Sequence, residues 1–182
     1  GNVFAIFVYP TKALARDQYP KIQKFAEKIG INVKVFDGDT KLEDRREIID
    51  NPPQILITNF DVLHYHLWHQ TKFSSIINST RMLIVDEAHV YSGIFGTNVH
   101  YIIKRLKRIC DNKLQFVAAS ATLDDAKKFC EQLFGETMQI IHGSGKKGQT
   151  DFVMLFPSLR TQRALMVELT KKLTEKNHKT MV

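Results

Sequence analysis

The chain has 182 residues and a formal net charge of +7, and its 43% hydrophobic and 25% charged content is that of an ordinary globular domain. No stretch approaches about 18 consecutive apolar residues, which excludes a membrane-spanning helix, and the opening Gly1-Asn2-Val3-Phe4-Ala5-Ile6 has no basic leader of a secretory signal. Two cysteines, Cys110 and Cys130, make neither a disulfide framework nor a zinc site and point to a reducing, intracellular setting, cytoplasmic or nucleoid/nuclear. The positive balance suits a polyanionic partner such as nucleic acid, although a basic protein without one has the same composition.

Short β-branched runs predict strands at 3–9, 32–36, 54–58, 82–85 and 114–119. Several are apolar on both faces, as parallel strands covered by helices on both sides must be. After the first strand, Ile22, Phe25, Ala26 and Ile29 fall on one helical face, and Gly30 is placed to cap that helix at its C-terminus. Pro20 is predicted to kink or restart it. A longer stripe, Val99, Ile102, Ile103, Leu106, Ile109 and Cys110, predicts a helix whose opposite side carries Lys104, Arg105, Lys107 and Arg108; Lys104, Arg105 and Arg108 are read as a solvated face. Strands alternating with helices predict an α/β fold with a mostly parallel sheet. At 142–150 the sequence HGSGKKGQT is glycine-rich and basic and predicts a turn or linker. A strand at 152–156, a helix at about 158–176 and a strand start at 179–182 follow. The expected organisation is therefore a first domain over 1–142, a linker over 143–151 and the start of a second domain over 152–182.

The strongest chemical signal is Met82-Leu83-Ile84-Val85 followed by Asp86-Glu87-Ala88-His89. A strand that delivers two carboxylates at its C-terminal end sets them at the lip of a parallel sheet, where open α/β folds bind ligands. There the first can hold Mg²⁺ through water, and the second can deprotonate or orient an attacking water. Three other strand ends present small or polar groups: Pro10-Thr11-Lys12-Ala13-Leu14-Ala15, Thr58-Asn59-Phe60-Asp61-Val62-Leu63 and Ser120-Ala121-Thr122. Ser120 and Thr122 are also candidates to cap the next helix, as is Asp124, and Lys12 could be a solvated surface lysine.

In this order the segments resemble the motifs of superfamily 2 helicases: PTKALA resembles motif Ia, TNFDVL motif Ib, DEAH motif II and SAT motif III, with Gly38 of DGDT similar to the glycine element between Ia and Ib. The longer matches YPTKALARDQ, TNFDVLHYHL and DEAHVYSGIFGTNV are similar to the DEAH-type DNA helicases related to RecQ-like repair enzymes rather than to the RNA-remodelling DEAD-box proteins. The resemblance implies a RecA-like, P-loop NTPase-type sheet and an ATP-dependent motor that couples hydrolysis to nucleic-acid unwinding, on DNA more than RNA, with ATP and Mg²⁺ as cofactors. It implies that Asp86 coordinates Mg²⁺ through water, that Glu87 is the catalytic base, and that His89 senses nucleotide. It further implies that Ser120 and Thr122 couple hydrolysis to strand separation, and that Thr11, Lys12, Gly38, Thr58 and Asn59 touch the nucleic-acid backbone. A translocase that remodels without unwinding, or a non-catalytic nucleic-acid-binding module, would carry the same motifs.

The resemblance also implies a phosphate-binding loop, G-x-x-x-x-G-K-S/T, ahead of motif Ia, whose backbone N–H groups and lysine cradle the phosphates. Nothing before Val3 supplies it. Gly143-Ser144-Gly145-Lys146-Lys147-Gly148-Gln149-Thr150 comes near, but Gln149 stands where the lysine belongs, and the loop leads into a strand rather than a helix. The expectation is a motor core truncated at both ends, inactive by itself and prone to self-association through unpaired strand edges. His64 and His66, in HYHLWH, point different ways on a helix and make a poor metal site. Tyr65 and Trp68 are expected to pack that helix, although an aromatic there could stack on a base.

Overall fold

A computed structural model describes residues 2–111, 113–121, 123–141 and 161–176. Five strands, β1 (Ala5–Val8), β2 (Val33–Val35), β3 (Ile55–Thr58), β4 (Met82–Val85) and β5 (Gln115–Ala118), form one sheet in the order β2-β3-β1-β4-β5. All four pairings are parallel. Each strand lies inside a run that its β-branched composition predicts. The helices are α1 (Lys12–Glu27), α2 (Leu42–Asp50), α3 (Phe60–Trp68), α4 (Lys72–Ile77), α5 (Gly93–Ile109), α6 (Ala126–Phe134) and α7 (Gln162–Glu175). Compactness divides the chain into one unit over 1–141, which holds the sheet, and another over 142–182, of which α7 and its flanking residues are described. The expected strands at 152–156 and 179–182 and the HGSGKKGQT loop lie outside the described residues. No helix among the described residues is long and apolar enough to cross a membrane.

Alternation along the strands sorts side chains between two clusters. Ile6, Val8, Leu56, Leu83 and Val85 point into the larger core with residues of α3, α4, α5 and α6. Phe7, Ile55 and Ile57 point to the other face, against Ala15, Ile22 and Ala26 of α1. The α5 stripe behaves as its spacing predicts: Val99, Ile102, Ile103, Leu106 and Cys110 are buried. Burying each such side chain contributes about 1.5–3 kcal/mol, so this helix anchors the larger core.

α1 departs from its predicted face. Ala26 is buried and Ile22 packs on the sheet, but Phe25 is 72% and Ile29 71% exposed. Successive helical residues turn by about 100°, so the row 15-19-22-26 faces the sheet while 25 and 29 swing to the flank, where Lys28 Nζ lies 5.7 Å from the Phe25 ring centroid. Pro20 does not restart the helix, which runs unbroken from Lys12 to Glu27. Proline removes one backbone donor, and packing of Leu14 and Ala15 before it and Ile22 and Ala26 after it holds both halves against the same sheet. Gly30 closes the helix as expected: at φ +69° it lets Ile31 N donate to Ala26 O (2.9 Å) and Gly30 N to Glu27 O (3.2 Å), the paired bonds of a Schellman cap.

α5 begins tight against the segment that follows β4. A Cβ at Gly96 would lie 2.3 Å from the Tyr91 carbonyl oxygen, so the helix approaches that backbone only because position 96 has no side chain. Gly96→Ala is expected to lower the stability of the chain by about 1–3 kcal/mol through overpacking, read as an earlier midpoint in urea unfolding followed by circular dichroism. An unchanged midpoint would mean that this contact relaxes freely.

Candidate active site

The topology opens a crevice at one place on the sheet. The connection leaving β1 crosses toward β2, whereas the one leaving β4 crosses toward β5, so the two diverge beyond the β1 and β4 carboxyl ends, where doubly wound sheets take ligands. Backbone bonds tie the lip together: Asp86 N donates to Val8 O (3.0 Å), Tyr9 N to Thr58 O (3.1 Å), Ala119 N to Val85 O (2.9 Å) and Ala88 N to Ala119 O (3.0 Å). The four motif-bearing strand ends therefore form one continuous rim.

At its centre Asp86 accepts the Glu87 N–H through Oδ1 at 2.9 Å. Glu87 sits at φ 48°, ψ 46°, a left-handed conformation uncommon for a residue with a side chain. Strain of this kind costs on the order of 1–3 kcal/mol and persists where surrounding contacts enforce it. Here the Asp86 side chain, the Ala88–Ala119 bond and the 3-10 turn at Ala88–Val90 do so. The turn swings the Glu87 side chain toward His89, whose Nδ1 lies 3.3 Å from Glu87 Oε2 and 3.1 Å from Ser120 Oγ. One imidazole thus touches Glu87, the second carboxylate beyond β4, and the hydroxyl beyond β5. Thr122 lies outside the described residues. The cap of α6 is neither Ser120 nor Asp124 but Asp125, which accepts from Lys128 N at 3.2 Å, so Ser120 is not committed to capping.

Two tyrosines back the carboxylates. Burial, reinforced by the negative charge of Asp86, pushes the Tyr9 phenol up to about 12. Burial first, then the charges of Asp61 and Asp86, raises Tyr91 as well. Tyr91 is 2% exposed, lies edge-on to Phe60 at 4.9 Å, and its hydroxyl has no hydrogen-bond partner among the described residues. For Mg²⁺, the test is the donor set. Asp86 and Glu87 are partly exposed, hard carboxylate donors at the rim, and among the described residues Asp86 Oδ2 takes no hydrogen bond. Water-mediated Mg²⁺ binding asks for one or two such groups, and these fit.

On the β1 and β3 side, two helices aim their N-termini at the rim. Thr11 caps α1, accepting from Leu14 N (3.2 Å), and Asn59 caps α3, accepting from Val62 N (2.9 Å). Helix N-termini carry unpaired N–H groups and a partial positive charge that favour phosphate. Lys12 opens α1, and a Cβ on Gly38 would lie 3.2 Å from its Nζ, so the lysine rests over the glycine backbone. Thr58 differs from the contact its motif implies: it is 2% exposed, and its hydroxyl donates to Phe36 O at 2.7 Å. Its side chain braces β2 against β3, because it sits in the last paired register of the strand.

Arg16, Asp39 and Arg45 were not among the residues singled out from the sequence. Arg16 could have been found, since it lies one turn after Lys12 on the same helix face. Arg45 could not: it reaches from α2 back to the carbonyl oxygens of Asp37, Gly38 and Thr40 at 2.8–3.2 Å, a brace from helix to preceding loop with no periodic signature. The aromatic expectation on α3 is also corrected. Phe60, Leu63 and Leu67 form its buried face, leaving Tyr65 exposed and Trp68 64% exposed. Arg105 stacks on Trp68 (5.3 Å) and bonds His64 Nδ1 (3.1 Å), while His66 pairs with Thr71 Oγ1 (2.7 Å). The histidines therefore serve different neighbourhoods.

An all-parallel sheet flanked by helices, with a DEAH carboxylate pair at its rim, is the architecture of RecA-like helicase domains. Residues 1–129 match the DEAD/DEAH box helicase family, and the chain belongs to that family. It is similar to the uncharacterized ATP-dependent helicase YprA of Bacillus subtilis, 34% identical across 98% of this chain and 26% of that protein. It is also similar to the ATP-dependent helicase hrq1 of Schizosaccharomyces pombe, 35% identical across 84% of this chain and 15% of that one. Among solved structures, the DUF1998 helicase MrfA is 34% identical with a TM-score of 0.78, over 96% of this chain and 27% of that chain. The chain thus spans about a quarter of the length of YprA and MrfA.

Proposed function

We propose that this chain forms the catalytic rim of an ATP-dependent DNA helicase, in which Glu87 activates water and the β1–β3 side of the rim holds the strand. The observation that carries this reading is the Glu87–His89–Ser120 contact series, which links the hydrolytic carboxylate to the end of β5. Asp86 would hold Mg²⁺ through water, and the ion would neutralise charge on the transferred phosphoryl oxygens. Glu87, held in its left-handed turn, accepts the proton of the attacking water. His89 reports the state of that carboxylate to Ser120, and Thr122 belongs to the same coupling segment. Thr11, Lys12, Gly38 and Asn59 receive the strand backbone, with Thr58 acting only by holding β2 and β3 in place.

A structure of the relative MrfA with DNA and AMPPNP, 32% identical over 95% of this chain, supports DNA and ATP as the ligands. The domain reading assigns 1–142 to this first RecA-like unit, 143–151 to a linker and 152–182 to a second such unit. An intracellular site of action accords with two free, buried cysteines. Self-association through β5 belongs to the same reading, since among the described residues β5 pairs only with β4.

The test is ATP hydrolysis and strand displacement by the whole protein on a partial DNA duplex. DNA-stimulated hydrolysis with displacement is expected. Stimulated hydrolysis without displacement would mean a translocase, and salt-sensitive DNA binding without any ATP effect a non-catalytic module.

A further inference from the structure

We propose that Asp39 is a built-in substitute for a strand phosphate, filling a Lys12–Arg16 fork until single-stranded nucleic acid displaces it. The proposal rests on the reading that the strand backbone crosses the rim beside α1. Lys12 and Arg16 lie four residues apart and reach the same carboxylate, one cation per oxygen: Lys12 Nζ to Oδ1 at 2.6 Å and Arg16 Nη2 to Oδ2 at 2.8 Å. A phosphodiester presents the same pattern, two non-bridging oxygens sharing one negative charge, and paired basic side chains recognise both groups by the same geometry. All three side chains are exposed, so a strand laid on the rim meets the fork directly.

The loop does not need this carboxylate to keep its shape. Asp37 N donates to Thr40 Oγ1 (2.8 Å), Asp39 N to Asp37 Oδ1 (2.8 Å), and Arg45 takes three carbonyl oxygens of the same turn. The backbone is therefore held by Asp37, Thr40 and Arg45, while the Asp39 side chain is free to leave. The hydrogen bond from Lys12, with the charges of Lys12 and Arg16, holds the Asp39 carboxyl below its ordinary range. Asp37, 3.9 Å from Arg16 and nearly buried, stays behind when Asp39 swings out and keeps the guanidinium aimed at the fork. An occupied fork lowers the affinity of the resting rim and gives each strand phosphate a competitor on release.

The test is fluorescence anisotropy of a labelled oligothymidylate with the whole protein across a potassium chloride series. Asp39→Asn is expected to bind more tightly, on the order of fivefold at low salt. Its log–log salt slope should match that of the wild type, because the strand that displaces Asp39 makes the same phosphate contact in both complexes. Lys12→Ala and Arg16→Ala should each weaken binding, and Asp39→Asn added to the Lys12→Ala, Arg16→Ala double variant should give no gain. Asp39→Ser serves as a second removal of the charge, with thermal melts to verify the fold. Weaker or unchanged binding by Asp39→Asn and Asp39→Ser, with Lys12→Ala still weakened, overturns the proposal alone and makes Asp39 a positioning residue. Lys12→Ala binding as the wild type does removes the rim reading, and the fork with it.

Discussion

Glu87→Gln in the whole protein is expected to reduce DNA-stimulated ATP turnover by about 10²–10⁴-fold, the range lost with a general base, while nucleotide binding is retained. The substitution keeps the size of the side chain and its reach to His89, 3.3 Å away, but removes the proton acceptor. The Asp86 carboxylate and the backbone turn that places residue 87 are untouched, so binding and catalysis separate in this variant. Single-turnover hydrolysis beside equilibrium binding of a fluorescent ATP analogue makes the measurement. Wild-type turnover would remove Glu87 as the base, and loss of both activities would assign the residue to holding the site together.

The second large effect is on stability. Phe73→Ala is expected to destabilise the chain by about 3–5 kcal/mol, the usual loss when a fully buried phenylalanine is truncated. That is a large part of the roughly 5–15 kcal/mol that holds a domain. Phe73 is fully buried, with ring centroids 4.5 Å from Phe36 and 4.6 Å from His66. It therefore supports the end of β2, where the DGDT loop begins, and the inner side of α3. His66 shares this environment: burial, with the charges of Arg45 and His69, lowers its pKa, so it packs as a neutral ring. With a urea dependence of about 1–3 kcal/mol per molar, the unfolding midpoint should fall by roughly 2 M. Phe25→Ala, at a residue the helical face had marked as core, should change stability by less than about 0.5 kcal/mol, as exposed sites do. Equal losses for the two would show that exposure of Phe25 is not its state in solution.

The contrast between these phenylalanines marks how far the sequence can be read. Strand positions were legible because β-branched apolar runs such as 55–58 and 82–85 have no good alternative to a buried parallel strand. The α5 stripe was legible because five buried residues recur at helical spacing over about three turns. The polarity of a parallel sheet then placed the four motif segments at one lip. α1 was harder, since its two apolar rows are nearly equal and only the position of the sheet chooses between them. The cap of α6 was similarly undecided among Ser120, Thr122 and Asp124, and Asp125 takes the role because the chain enters the helix one residue later.

What the sequence alone determined is the fold class, the order of the motifs and the pairing of two carboxylates at a strand end. These follow from local periodicity and from chemistry carried by neighbouring residues. The tertiary structure decided which groups meet across long separations: His89 with Ser120, Thr58 with Phe36, Arg45 with the DGDT carbonyls, and Asp39 with Lys12 and Arg16. The physical reason is that a hydrogen bond or ion pair between residues some 5 to 31 positions apart, joined through loops, leaves no periodic trace. Its partners are chosen by where the sheet brings the chain back, and that return is set by the packing of the whole core.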